Sequence, residues 1–180
     1  MQLRSLVVDD ARVTQLILER ILNAYGTCNV ARNGTEAMQV FSEAFEAGRG
    51  HDLVCLDMGL PDFGGLELLT KIRAYEEQHG RPEMDRARVI AITASSDAAT
   101  IRAFTQMGDG YILKPINRDR LIRDIVNLGL IAPSAADSQL VTDLERLCQS
   151  DALPMKMLAH LMREIAGSIG RQSNGFKPGQ

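Results

Sequence analysis

The sequence predicts an α/β protein, a doubly wound, five-stranded parallel sheet with helices on both faces, followed by a C-terminal helical hairpin. Three observations carry this expectation. Short apolar runs and helical stripes alternate strictly through residues 1–131, and parallel strands joined by right-handed crossovers need a helix between them. The runs are continuous rather than alternating, most plainly Leu53 to Leu56 (LVCL), as expected of strands covered on both faces. Several of the runs also stop abruptly at a charged or hydroxyl residue.

Leu3 to Val8 (LRSLVV) runs into Asp9-Asp10 and reads as the first buried strand. Val13, Leu16, Ile17, Arg20 and Ile21, with Leu22, follow at i, i+3, i+4 spacing and predict an amphipathic helix. It is expected to stop at Tyr25-Gly26, with the glycine in the left-handed C-cap geometry. Residues 27–32 form a second strand, Asn33-Gly34 a turn, and Thr35 to Ala47 a helix with Ala37, Val40, Phe41, Ala44 and Phe45 on one face. The third strand, 53–56, leads directly into Asp57, and Leu66 to Tyr75 supplies a helix through Leu66, Leu69, Ile72 and Arg73. The polar segment Glu76 to Arg88 is long for a connection and predicts a mobile surface loop. Val89 to Thr93 is the fourth strand, after which Asp97 opens a helix through Ile101 and Phe104. Gly110 to Leu113 is the fifth strand, ended by Lys114-Pro115, and Asn117 caps a helix carrying Leu121, Ile122, Ile125 and Val126.

Beyond this the pattern breaks at Pro133-Ser134. Leu140, Val141, Leu144, Leu147 and Cys148 form one helical stripe and Leu158, Leu161, Met162, Ile165 and Ile169 another, so residues 132–170 are expected to be a helical extension and 171–180 a flexible tail. A hairpin this short does not bury two apolar stripes alone and is expected to pack on the first domain, on a partner or, as the leading expectation, on a second copy in a homodimer.

Composition removes several function classes. Among 180 residues, 20 Lys+Arg against 23 Asp+Glu give a net charge of −3, which lacks the basic footprint of a nucleic-acid binder. The C-terminal segment balances Asp137, Asp143, Glu145, Asp151 and Glu164 against Arg146, Lys156, Arg163, Arg171 and Lys177 and contains no Arg-rich recognition helix. No stretch approaches the ~20 apolar residues of a membrane span, and the N-terminus does not read as a signal peptide. Three cysteines without CxxC spacing fit a reducing cytoplasm.

Asp9 and Asp10, Asp57, Thr93 and Lys114 each follow the apolar core of a different strand. In an open parallel sheet, residues just past the strand carboxyl ends converge on one crevice, so these five side chains are expected to meet. Crowded carboxylates repel and call for a hard divalent cation, and Mg²⁺ suits a few carboxylates, a backbone carbonyl and retained waters. No Cys or His lies at these strand ends, which argues against zinc or copper. Lys114 can pair with an acid or a phosphoryl oxygen, and Thr93 can donate to the same group. The residues form a set suited to phosphoryl transfer.

VVDD at 7–10, LDMGLPDFGG at 56–65, ITAS at 92–95 and YILKP at 111–115, in this order and with these separations, resemble the receiver domain of two-component response regulators over about residues 1–131. The likeness is to a stand-alone, chemotaxis-type receiver carrying a helical C-terminal extension. It implies a flavodoxin-like sheet of order 2-1-3-4-5. It also implies a phosphorelay switch in which Asp57 accepts a phosphoryl group from a histidine kinase or phosphotransfer protein, and which signals to a downstream protein target by contact. Asp9, Asp10, Asp57 and the backbone carbonyl of Gly59 would hold Mg²⁺, and Lys114 would bridge to the phosphoryl group. Thr93 and Tyr111 would carry the conformational switch, although Tyr111 also suits plain packing, and the Lys114–Pro115 bond is expected to be cis. Such a protein catalyses only its own phosphorylation and dephosphorylation.

Departures from the family pattern are modest. Leu60 stands where a methionine usually precedes the proline, and Gly64 where an acid or Asn usually precedes the last glycine. Gly59 and Ser95, at positions that tune phosphoryl lifetime in the family, are small. Ready access of water follows, with a lifetime no longer than a Gly59→Asn variant would show in a hydrolysis assay.

His160 lies in AHLMREIAGSIG (159–170), which faintly resembles the phosphorylatable helix of phosphotransfer domains, but Glu164 replaces the small residue expected beside the histidine. A plain helix histidine is the competing reading. Two alternatives to the switch accompany it: a phosphotransfer intermediate or phosphate sink using the C-terminal helices, and the receiver part of a longer protein. His51 and His79 read as solvated side chains, and Cys28 and Cys55 as small core residues.

Overall fold

The computed structural model describes residues 2–94 and 97–132. The expected C-terminal hairpin and tail, with His160 and the homodimer surface, and the position of Ser95 lie outside the described residues. Five strands, β1 (Leu3–Val8), β2 (Gly26–Ala31), β3 (Leu53–Asp57), β4 (Arg88–Thr93) and β5 (Gly110–Leu113), alternate with five helices. These are α1 (Arg12–Leu22), α2 (Gly34–Glu46), α3 (Gly65–Gln78), α4 (Ala98–Thr105) and α5 (Arg118–Asn127). All strand pairings are parallel, in the order β2-β1-β3-β4-β5. This is the flavodoxin-like sheet expected from the sequence.

The continuous apolar runs explain the two-sided burial. Every residue of β3 is buried, and β4 is buried from its second residue on. On one face Leu6, Val8, Val54, Leu56 and Val89 pack with Ala37 and Phe41 of α2, Leu68, Leu69 and Ile72 of α3, and Phe104 of α4. On the other, Val7, Leu53, Cys55, Ile90 and Ile92 pack with Leu18 and Leu22 of α1 and Leu121 and Ile125 of α5. Each fully buried large aliphatic side chain contributes roughly 1.5–3 kcal/mol relative to exposure. The edge strand β2 shows partial burial instead, with Thr27 and Asn29 in solvent.

Local capping follows the expected chemistry. The Asn33 side chain accepts from the Glu36 N–H at 2.8 Å, Asp97 from Thr100 N–H at 2.8 Å, and Asn117 from Arg120 N–H at 2.9 Å, closing the first turns of α2, α4 and α5.

Four expectations are corrected. Of the expected α1 stripe, Val13, Leu16 and Ile17 face solvent, at 70%, 48% and 43% exposure, while Leu22 is buried as expected, together with Gln15 and Leu18. Gly26 is not a left-handed cap: α1 ends at Leu22 with Asn23 as its C-cap, and Gly26 opens β2 where a Cβ would come within 1.9 Å of the Leu3 carbonyl oxygen. The Glu76–Arg88 segment is not simply a polar surface loop. α3 extends to Gln78, and Glu76 is fully buried, accepting from Ala87 N–H at 2.7 Å and from Arg73 Nη1 at 2.8 Å. The same Arg73 reaches Asp109 at 3.2 Å, which also holds Arg88 at 3.0 Å.

His51, finally, is 1% exposed rather than solvated, with Nε2 bonded to the Asn29 side chain at 3.1 Å and its ring stacked on Phe41. Burial is the main cause that lowers its pKa to about 4; Arg4 and Arg81 lower it further against the opposing pull of Asp52. The folded pKa lies below the unfolded value near 6.5, so stability is lost as pH falls through the window from about 6.5 to about 4. A His51→Phe variant is expected to show a flatter decline in chemical-denaturation stability across that window, the difference reaching up to about 3 kcal/mol. Parallel stability curves for the two proteins would contradict the burial argument.

Candidate functional site

Strand register builds the site. Val8 pairs with Leu56, Asp57 with Ile92, and Thr93 with Leu113. Asp9 therefore leaves β1 level with Asp57 at the end of β3, with Thr93 one step and Lys114 two steps further along the carboxyl edge. The sequence-predicted acids and lysine do come together: Asp9, Asp10 and Asp57 each offer a carboxylate oxygen within 4.8 Å of the others. Lys114 Nζ lies 2.9 Å from Asp57 Oδ2 and 2.9 Å from Asp9 Oδ2. Asp9 and Asp57 are buried, Thr93 is buried, and Asp10 is exposed.

Side-chain orientation is set by the backbone nearby. Asp9 Oδ1 accepts from Ala11 N–H at 2.8 Å, and Gln15 Nε2 donates to the Asp9 carbonyl at 2.6 Å, so the first turn of α1 holds the acid from both ends. Asp57 Oδ1 accepts from Gly59 N–H at 3.2 Å, leaving Oδ2 to Lys114. Lys114 N–H donates to Thr93 carbonyl at 2.8 Å, and the Lys114–Pro115 bond is cis as expected. Burial pulls the Lys114 ammonium down, but hydrogen bonds and charge from Asp57 and Asp9 outweigh it and raise its pKa. Lys114 is therefore a fixed cation at neutral pH.

The donor set fits a hard divalent cation. Asp9 Oδ2 is buried, and the charge that meets it is the Lys114 ammonium at 2.9 Å, which Asp57 shares. One ammonium divided between two buried carboxylates leaves net negative charge that a further cation would offset. With Asp10 and Asp57 oxygens alongside, the three acids supply an all-oxygen cradle.

Tyr111 is half-buried against the core, with the Arg120 guanidinium 5.7 Å from its ring centre and Arg120 Nη2 donating to its carbonyl at 3.1 Å. Sequence reasoning missed Gln15 and Arg120. Gln15 carried a usable signal, since it shares the i, i+3, i+7 spacing with Leu18 and Leu22; Arg120 carried none.

A fold of this order with an acid cluster and lysine at its carboxyl edge defines a class, and comparisons with known proteins agree with it. A family model described as the response regulator receiver domain matches residues 5–126, so the chain belongs to that family. Over 119 residues it is 31% identical to the osmosensing histidine protein kinase SLN1 of Saccharomyces cerevisiae, covering 64% of this chain and 9% of that one. Over 182 residues it is 29% identical to the probable C4-dicarboxylate response regulator DctR of Priestia megaterium, covering 94% of this chain and 73% of DctR. A similar solved structure, a co-crystal of the Saccharomyces cerevisiae phosphotransfer protein Ypd1 with the receiver domain of Ssk1, shares 26% identity at a TM-score of 0.62, covering 73% of this chain and 93% of that one. The chain spans 9% and 20% of the length of the first curated relatives it matches. It is thus a receiver domain of the kind used in two-component and phosphorelay systems.

Removing the Lys114 charge leaves three acids facing one another. Lys114→Met is expected to lower the melting temperature of the metal-free protein, by roughly 1–2 kcal/mol of stability once partial solvent contact is discounted. Millimolar divalent cation should recover most of that loss; recovery no larger than in wild type would show that the acids do not share a cation.

Proposed function

We propose that the chain is a phosphorylation switch in which Asp57 accepts a phosphoryl group from a phosphohistidine of a histidine kinase or phosphotransfer protein. The observation that carries this reading is the pairing of a buried Asp57, one oxygen fixed by Gly59 N–H and the other by Lys114, with two further acids beside it. Attack by a carboxylate oxygen on phosphorus, with the phosphorus–nitrogen bond breaking, needs in-line placement and charge neutralisation rather than a strong base. Asp9, Asp10, Asp57 and the Gly59 carbonyl are the residues that would hold Mg²⁺, which when bound neutralises the developing phosphoryl charge. Lys114 supplies the second positive charge, and Thr93 sits one strand step away to bond a phosphoryl oxygen. Thr93 and Tyr111 then carry the change to the surface of β5 and α5.

Signalling by protein contact is supported by α1, which starts two residues after Asp10 and exposes Val13, Leu16 and Ile17. An apolar face with no core to cover suits a protein partner. Ssk1, a similar receiver, is bound to a phosphotransfer protein in its crystal structure. Among the described residues no helix is long and apolar enough to cross a membrane; a cytoplasmic place of action is part of the proposal. The chain's only catalysis on this reading is its own phosphorylation and dephosphorylation.

Incubation of the full chain with acetyl phosphate and Mg²⁺ is expected to give a single acid-stable, base-labile phosphoryl adduct, resolved on phosphate-affinity gels. Asp57→Asn and omission of Mg²⁺ should each abolish it. An adduct that survives in Asp57→Asn would overturn the assignment. For the partner face, Ile17→Asp is expected to slow transfer from a phosphohistidine protein about tenfold or more while leaving the acetyl phosphate rate unchanged; equal rates with the protein donor would remove α1 from the docking surface.

A further inference from the structure

The loop between Asp57 and α3 carries Gly59, whose N–H donates to Asp57 and whose carbonyl is the cation ligand proposed above, and most of it lies outside regular structure. At its start Gly59 N–H donates to Asp57, and at its end Gly65 N–H donates to the Met58 carbonyl at 3.2 Å. What fixes its middle is Asp62, and it does so from another element. Asp62 Oδ1 accepts from Gly34 N–H at 2.9 Å, and Oδ2 accepts from Thr35 N–H at 2.8 Å and from the Thr35 hydroxyl at 2.9 Å. Oδ1 also accepts from Phe63 N–H at 2.9 Å, which turns the carboxylate toward α2.

Helix N-termini leave their first N–H groups without intrahelical partners. In α2 the duty is divided: Asn33, next to it in sequence, takes the Glu36 N–H, while Gly34 and Thr35 are left to Asp62, 28 and 27 residues away. A carboxylate at that end also meets the positive end of the helix dipole. The neighbouring Phe63 closes the joint, since a Cβ on Gly34 would lie 2.3 Å from its ring. Phe63 in turn lies under the Lys71 ammonium of α3, 4.7 Å from the ring centre.

We infer that Asp62 is a positioning residue for the phosphoryl-transfer site: it latches the Asp57–α3 loop to the start of α2 and so sets where Gly59 presents its backbone to the cation and to Asp57. This rests on the function proposed above. Asp62 touches neither the acids nor Lys114 and acts only through the loop. Freed from α2, the loop spreads over more conformations, and the Gly59 carbonyl meets the carboxylate cluster less often. The expected consequence is weaker Mg²⁺ binding without loss of the fold, because the side chain is exposed and its removal opens no core.

The test compares full-length wild type, Asp62→Ala, Asp62→Asn and Asn33→Ala. Asn33→Ala weakens the same helix end without touching the loop, so it reports what a purely structural cap contributes. Mg²⁺ titration followed by calorimetry and by the Gly59 amide resonance is expected to show Asp62→Ala weakened roughly tenfold, with Asp62→Asn intermediate and Asn33→Ala within about twofold of wild type. In the metal-free state the Gly34 and Thr35 amides should lose hydrogen-exchange protection in Asp62→Ala, and the Gly59 resonance should move. Unchanged Mg²⁺ affinity in Asp62→Ala, or equal weakening in Asn33→Ala, overturns the latch. Absence of any Mg²⁺ response in wild type overturns instead the functional reading on which it rests.

Discussion

Lys114, held 2.9 Å from both Asp57 and Asp9, is the interaction on which the arrangement depends. Two like charges 4 Å apart repel by about 4 kcal/mol at the effective dielectric near a protein surface, and here three carboxylates share that neighbourhood. A sheet edge alone would not assemble them. The register does so by bringing four strand ends to one rim, and the lysine makes the rim tolerable by spreading one positive charge over two acids. An imbalance remains, because one ammonium is set against three carboxylates, the exposed Asp10 among them. The opposite rim is built on another principle. There Arg4 grips Asp52 through both carboxylate oxygens, and the paired Glu76, Arg73, Asp109 and Arg88 alternate in sign. Charges at the strand amino ends are matched and knit α3, β4 and the approach to β5 together. Charges at the carboxyl ends are unmatched.

How far the sequence showed this depends on whether the cause was local. Strand identity was legible because continuous apolar runs such as Leu53 to Leu56 have few other uses in a chain of this composition. The site was legible because each of its members ends one of those runs. The buried face of α1 was not. Its helix carries two stripes, one apolar (Val13, Leu16, Ile17) and one containing a polar residue (Gln15, Leu18, Leu22), and periodicity favours the wrong one. Tertiary structure decides otherwise because Gln15 has a specific acceptor waiting in the Asp9 carbonyl, while the apolar stripe is kept for the outside.

Glu76 and His51 were misread for a related reason. A charged or titratable residue in a polar stretch reads as solvated unless its partners are known, and these partners are Arg73, Ala87 and Asn29, the last 22 residues away. Asp62 shows the same limit at the functional end. Nothing in its own neighbourhood reveals that it caps a helix 28 residues earlier in the chain. Gly26 fails differently: a glycine after a helix suggests a cap, but what excludes a side chain there is the backbone of Leu3 on the neighbouring strand.

The contrast between the strands indicates where a switch of this kind has freedom to move. β3 and most of β4 are buried on both faces, and shifting either would disturb both halves of the core at once. β5 is different: it is an edge strand of four residues with one fully buried side chain, paired only to β4. Adding a phosphoryl group at Asp57 would raise the negative charge beside Lys114 and draw the lysine from Asp9 toward the new oxygens. Lys114 is covalently the end of β5, and its N–H is tied to Thr93. On the proposed function the mechanical response would therefore fall on this short edge strand, where Arg120 of α5 bonds the Tyr111 carbonyl and lies over its ring. On the proposed function, rigid acids on central strands and a movable cation beside an edge strand would convert a change of charge into a change of surface, without any part of the central sheet having to yield.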